Sequence, residues 1–276
     1  MKDKKRKISF KLFLNKTLTP ERPGWYPVYL RITYKGQNTK VPDVLLNDVT
    51  LYWTQSDLDA YDRGERDGAI KGNAQFLDES LKFYEDIIRY EETFSEDYTI
   101  SGLAKRAGFF RLLMIKDLES KIGFLFNLEL TVLNQKQSLP KHSSFSIKFL
   151  NDNYRNLKSL FSPALNRLIE TYILVYLYNL HYYHNFHNDI WYNGTYYHWV
   201  IKGGIDQFKG FMEDFFGERK RIDDNYLKED LLANDSATQR EMGILINSIK
   251  PDIDFQSIYL SIISDLLDSA IKMREK

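Results

Sequence analysis

Two stretches near the amino end alternate apolar and polar residues with a period of two. Ile8, Phe10, Leu12 and Leu14 alternate with Ser9, Lys11 and Phe13, and Val28, Leu30, Ile32 and Tyr34 alternate with Tyr29, Arg31, Thr33 and Lys35. Successive side chains of a strand point to opposite faces, so each stretch predicts a half-buried strand. Pro20, Pro23 and Gly24 break the chain between them, and Lys35-Gly36-Gln37-Asn38 reads as a tight turn into a third short strand from Lys40 to Leu46. Three strands with one apolar face do not stand alone in water. The cover for that face follows: from Asn73 onward Phe76, Leu77, Leu81, Tyr84, Ile87, Ile88 and Glu91 keep a helical spacing. The pattern therefore predicts a small antiparallel sheet on one helix, polar face outward, ending near Phe94.

The remainder reads as mainly helical. Residues 101–108 have the pattern of the first helix and turn of a helix-turn-helix, but 109–133 is too uniformly apolar for an exposed recognition helix and is assigned to core. Pro140 and the serines of 139–146 predict a loop. A helix starts at Ser162-Pro163, with Ser as N-cap and Leu165, Leu168, Ile169, Tyr172, Ile173, Tyr176 and Leu180 on its apolar side. Asn193-Gly194, flanked by aromatic residues over 190–200, predicts a β-hairpin with a type I′ turn that ends at Gly203-Gly204. Further helices are expected over 205–216, 224–233, 236–249 and 254–273, the third opened by a Ser236/Gln239 capping box. The fold class is α+β: a three-stranded sheet packed on a helix in a first domain, 1–105, then a mainly helical domain, 106–276, with one hairpin.

Charge changes this picture more than composition does. The 276 residues carry 38 Lys+Arg against 38 Asp+Glu. From Met1 to Val44, however, eleven basic residues face three acidic ones, a surplus of eight that the rest of the chain cancels. A basic end on an acidic body is the asymmetry of a module that meets a polyanion, because each phosphate neutralised releases counterions. The absence of cysteine excludes disulfides, thiolate metal sites and a cysteine nucleophile. Aromatic residues reach 15%, so much of the core is built from rings. The charged, alternating amino end lacks the apolar run of a secretory signal, and no segment approaches the ~18 apolar residues of a membrane span. A cytoplasmic chain without a membrane partner is expected.

The run Thr19-Pro20-Glu21-Arg22-Pro23-Gly24-Trp25-Tyr26-Pro27-Val28-Tyr29-Leu30-Arg31-Ile32-Thr33-Tyr34-Lys35-Gly36, with Trp53 and the step Ile70-Lys71-Gly72-Asn73-Ala74 into a helix, resembles the N-terminal arm-binding domain of tyrosine recombinases carried by mobile elements. The resemblance covers residues 7–105. It implies a sheet that docks on double-stranded DNA, with side chains entering a groove. By that similarity Lys11, Arg31, Thr33, Lys35 and Lys40 are the DNA contacts.

The catalytic pattern of that family is missing. Its core carries a His-x-x-Arg pair, and none of His142, His181, His184, His187 or His198 has Arg three residues on. No phosphate loop, dinucleotide turn, Gly-x-Ser-x-Gly or acidic metal triplet stands elsewhere, so no catalytic residue and no cofactor are assigned. His181, His184 and His187 invite a metal reading, but three-residue steps drift by about 60° each against the helical period, and no Glu or Asp follows any of them as a zincin helix requires. They read as the rim of an aromatic core. The expected function is a non-catalytic DNA-binding protein of a mobile genetic element, integrase-related through its first domain, whose helical half mediates protein contacts or self-association. The alternative is an enzyme: a diverged or shortened tyrosine recombinase, or a metal-dependent activity around the three histidines.

Overall fold

The period-two stretches are strands. In the computed structural model, which describes residues 6–42, 44–46, 49–95, 97–134, 158–185 and 194–219, β1 (Ser9–Leu14), β2 (Tyr26–Tyr34) and β3 (Gln37–Val41) form an antiparallel sheet in that order. A two-residue strand, β4 (Tyr52–Trp53), pairs with the start of β2 through Tyr26↔Trp53 and Pro27↔Tyr52. Leu12, Leu14, Val28, Leu30, Ile32 and Tyr34 are buried, as the alternation requires.

The third strand begins earlier than expected, at Gln37, and ends at Val41. Lys35 (φ 49°) and Gly36 (φ 75°) both take positive φ, so these two residues alone make the hairpin turn. Gln37 and Asn38 are already paired, with Tyr34 and Thr33.

Helix α1 (Gln55–Asp62) starts at a complete capping box: Asp57 N–H donates to Thr54 Oγ1, and the Asp57 carboxylate accepts from the Thr54 backbone. The covering helix, α2 (Gly68–Glu92), starts five residues before the expected Asn73. It buries Ile70, Ala74, Leu77, Phe83, Tyr84, Ile87 and Ile88, whereas Phe76 is exposed. At its C-terminal end Tyr34 Oη donates to Glu92, tying helix to strand. Helix α3 (Leu103–Phe110) follows and belongs to the same unit, which extends to Arg111 rather than stopping at 105. It is held by a buried network: Arg106 Nε donates to Glu91 Oε1 at 2.8 Å, and Tyr98 Oη donates to Glu91 Oε2 at 2.8 Å. The same stretch is tied to β3, where Ile100 N–H donates to Gln37 Oε1 at 3.1 Å.

The second unit, from Leu112, contains α4 (Met114–Asn134), α5 (Pro163–Asn185), α6 (Tyr196–Ile201) and α7 (Gly204–Arg219). Met114, Leu118, Ile122 and Phe126 recur every four residues along α4 and are buried, with Phe126 edge-on to Phe161 at 5.7 Å. Among the described residues the core role expected of 109–133 holds for that stripe and for Phe110, whereas Phe124 and Leu128 are 70% and 55% exposed. Helix α5 begins as its sequence predicts: Leu165 N–H donates to the Ser162 hydroxyl at 3.1 Å, and Ser162 is itself held by Glu129.

The hairpin over 190–200 is corrected. Residues 196–201 are helix α6, and 190–193 lie outside the described residues. Gly194 does take the positive φ of a turn (78°), but Thr195 then caps a helix, accepting from His198 N–H through its hydroxyl. Tyr196, Tyr197 and Trp199 are all buried on that single turn, so the gain from ring burial in a helical core overrides their β propensity. The loop at 139–146 and the helices expected over 224–233, 236–249 and 254–273 also lie outside the described residues. Among the described residues no helix is long and apolar enough to cross a membrane.

Candidate nucleic-acid interface

Strand register decides what the outward face of the sheet presents. Lys11 stands opposite Arg31, and Arg31 stands opposite Lys40, so three cations from three strands form one row across the sheet. All three side chains are exposed. Like charges directly opposite in a sheet destabilise it, each pair by a few tenths to about 1 kcal/mol. Among the described residues no carboxylate pairs with any of the three.

The rows on either side complete the face. On one side Ser9, Thr33 and Asn38 stand in register, and Thr33 Oγ1 donates to Asn38 Oδ1 at 2.6 Å. On the other, Phe13 stands opposite Tyr29, their rings tilted with centroids 5.9 Å apart. The Arg31 guanidinium carbon and Lys40 Nζ lie 5.2 Å and 5.6 Å from the Phe13 centroid, so two of the three cations rest on that ring. Beyond the ring row, Arg22-Pro23-Gly24-Trp25 turns the chain into β2. Trp25 N–H donates to Arg22 O at 2.9 Å, Gly24 takes φ 81°, and the Arg22 guanidinium stacks 3.7 Å from the Trp25 ring centroid.

Of the residues assigned from sequence, Lys11, Arg31, Lys40 and Thr33 are brought together. Lys35 is not. Period two carries it onto the outward face, but the strand ends at Tyr34, and in the turn the Lys35 side chain pairs with Glu92 at 3.4 Å and is 16% exposed. Burial raises the Glu92 carboxyl, yet the hydrogen bonds from Tyr34 and Lys35 outweigh it and hold the group below its usual range. The same site, by burial first and by Glu92 second, pushes the Tyr34 hydroxyl up to about 12. Lys35 is thus part of the clasp between sheet and helix. Sequence reasoning assigned no role to Phe13, Tyr29 or Asn38, although each shares the outward parity of Lys11, Arg31 or Lys40.

The histidine cluster divides. The side chains of His181 and His184, and the whole of His187, lie outside the described residues. His198 is buried, with Nε2 3.0 Å from Tyr178 Oη and its ring against Trp199. Burial lowers its pKa to about 4, which favours the neutral imidazole of a core residue. Among the described residues no group of three or more His, Asp or Glu is arranged to hold a metal ion. Comparison of the chain with protein-family models, with curated proteins and with solved structures finds no match.

Proposed function

We propose that the first unit binds duplex DNA through the sheet face bearing Lys11, Arg31 and Lys40, and that the protein is a non-catalytic DNA-binding protein of a mobile genetic element. The observation that carries the reading is the row of three like charges in direct register. A fold retains such a locally unfavourable arrangement where a partner compensates it, and phosphate is the abundant polyanionic partner of Lys and Arg. A strand ribbon has the dimensions of the major groove. The surplus of positive charge before residue 45 adds steering toward the same partner. The resemblance of residues 7–105 to recombinase arm-binding domains supports the mobile-element part of the proposal.

Fluorescence anisotropy with a labelled duplex of ~20 base pairs, about two helical turns, tests it. Three phosphate contacts give a log–log dependence of affinity on salt with a slope of about −3. The double variant Arg31→Ala/Lys40→Ala is expected to lower the magnitude of that slope by about 2 and to weaken binding at low salt. Lys35→Ala leaves the slope unchanged, because its charge is already paired with Glu92. Binding that is insensitive to salt, or intact in the double variant, defeats the proposal.

A further inference from the structure

Resting on the duplex-binding reading above, we infer that the Phe13–Tyr29 row reads base identity by apolar contact with the C5-methyl group of pyrimidines, thymine above all. The two rows of the face have different chemistry: Lys11, Arg31 and Lys40 carry charge, whereas Phe13 and Tyr29 present rings. Residues two apart on a strand are about 6.7 Å apart, and the major groove is about 12 Å wide. With the cation row seated on one phosphate strand, the ring row lies near the middle of the groove, over the base edges. The other groups that mark base identity there are hydrogen-bond donors or acceptors; the thymine methyl is the apolar one.

The surroundings of Phe13 separate this reading from base stacking. A stacking platform needs an open ring face. Here Arg31 and Lys40 stand over the Phe13 ring, at 5.2 Å and 5.6 Å, and Tyr29 packs beside it at a 52° tilt. Phe13 is half-buried. A ring flanked by two cations and a second ring offers a methyl-sized apolar contact rather than a free platform for a splayed-out base.

The test compares the full chain on an A·T-rich duplex of ~20 base pairs with the same duplex in which deoxyuridine replaces thymidine, a change that removes only the methyl groups. Loss of one buried methyl contact predicts about fourfold weaker binding to the uracil duplex. Replacing cytosine by 5-methylcytosine in a G·C duplex is expected to strengthen binding by a similar factor, and Phe13→Ala to abolish both preferences. Equal affinity for the thymine and uracil duplexes, with binding still salt-dependent, overturns this inference and leaves the duplex-binding reading standing; this comparison uses the unaltered chain, so it holds even if Phe13→Ala does not fold. A methyl preference that survives in a folded Phe13→Ala chain also overturns it. Tighter binding to the thymine-rich single strand than to the duplex overturns it in favour of stacking. Absence of binding to every duplex at low salt removes the duplex-binding reading and this inference with it.

Discussion

Arg106 Nε donates to the Glu91 carboxylate at 2.8 Å, and that carboxylate is 5% exposed. Tyr98 Oη donates to its other oxygen, while Arg106 Nη2 donates onward to Thr99 O at 3.2 Å, so α2, the connection after it and α3 share one buried network. Removing one partner of a buried ion pair leaves an uncompensated charge in a poor solvent for it. Arg106→Met is expected to destabilise the first unit by about 3–5 kcal/mol in urea unfolding. The double variant Glu91→Leu/Arg106→Met is expected to recover most of that loss, because it removes both charges. A single-variant cost below about 1 kcal/mol, the worth of an exposed pair, would show that the network is not structurally important.

The cation row carries its own stability prediction. Lys11→Gln keeps an unbranched polar side chain, one atom shorter, and removes one of two directly opposed like-charge pairs. It is expected to stabilise the protein by about 0.2–1 kcal/mol at low salt, with the gain shrinking as salt screens the repulsion, while duplex affinity falls. A gain independent of salt would point to strand propensity rather than charge.

His198 gives the second unit a pH dependence with a definite sign. Burial lowers its pKa in the folded protein to about 4, against an ordinary value of 6.5. Between those values the unfolded chain takes up a proton that the folded one does not, so stability is full above pH 6.5 and falls as pH drops toward 4. The total approaches about 3 kcal/mol. His198→Gln, which retains a polar partner for Tyr178, is expected to flatten thermal stability between pH 6.5 and pH 5. An unchanged pH profile in that variant would sink the assignment.

Two glycines of α7 make a matched pair. A Cβ on Gly204 would lie 2.8 Å from His198 Cδ2 and 2.9 Å from His198 O, closer than carbon contacts allow, whereas a Cβ on Gly210 would meet nothing within 4 Å. Gly204→Ala is expected to cost about 1–3 kcal/mol through overpacking. Gly210→Ala is expected to add about 0.5–1 kcal/mol from reduced chain entropy in a helix interior. Thermal unfolding of the two variants checks the pair together, and equal effects would be inconsistent with the close seat of Gly204 on His198.

Local pattern carries far where the structural reason is local. Alternation at Ile8–Leu14 and Val28–Tyr34 marks β1 and β2 and separates Leu12, Leu30 and Ile32 from Lys11, Arg31 and Thr33, because the side-chain period of a strand is two wherever it lies. Ser162-Pro163 marks the start of α5 because capping needs only the first turn. Parity fails at Lys35, where the backbone leaves the strand and period two no longer applies. It fails again at 196–201, where aromatic residues read as strand but take the conformation that buries their rings.

By itself, the amino-acid order determined which residues of β1 and β2 face outward, where the positive charge is concentrated and how α5 begins, since each follows from neighbours within a few positions. That Lys11, Arg31 and Lys40 stand side by side, that two of them rest on Phe13, and that Lys35 turns to Glu92 was decided only in the tertiary structure. The physical reason is register: alignment between strands, and between strand and helix, is set by turn geometry and by packing of the buried faces, which no single stretch of chain contains.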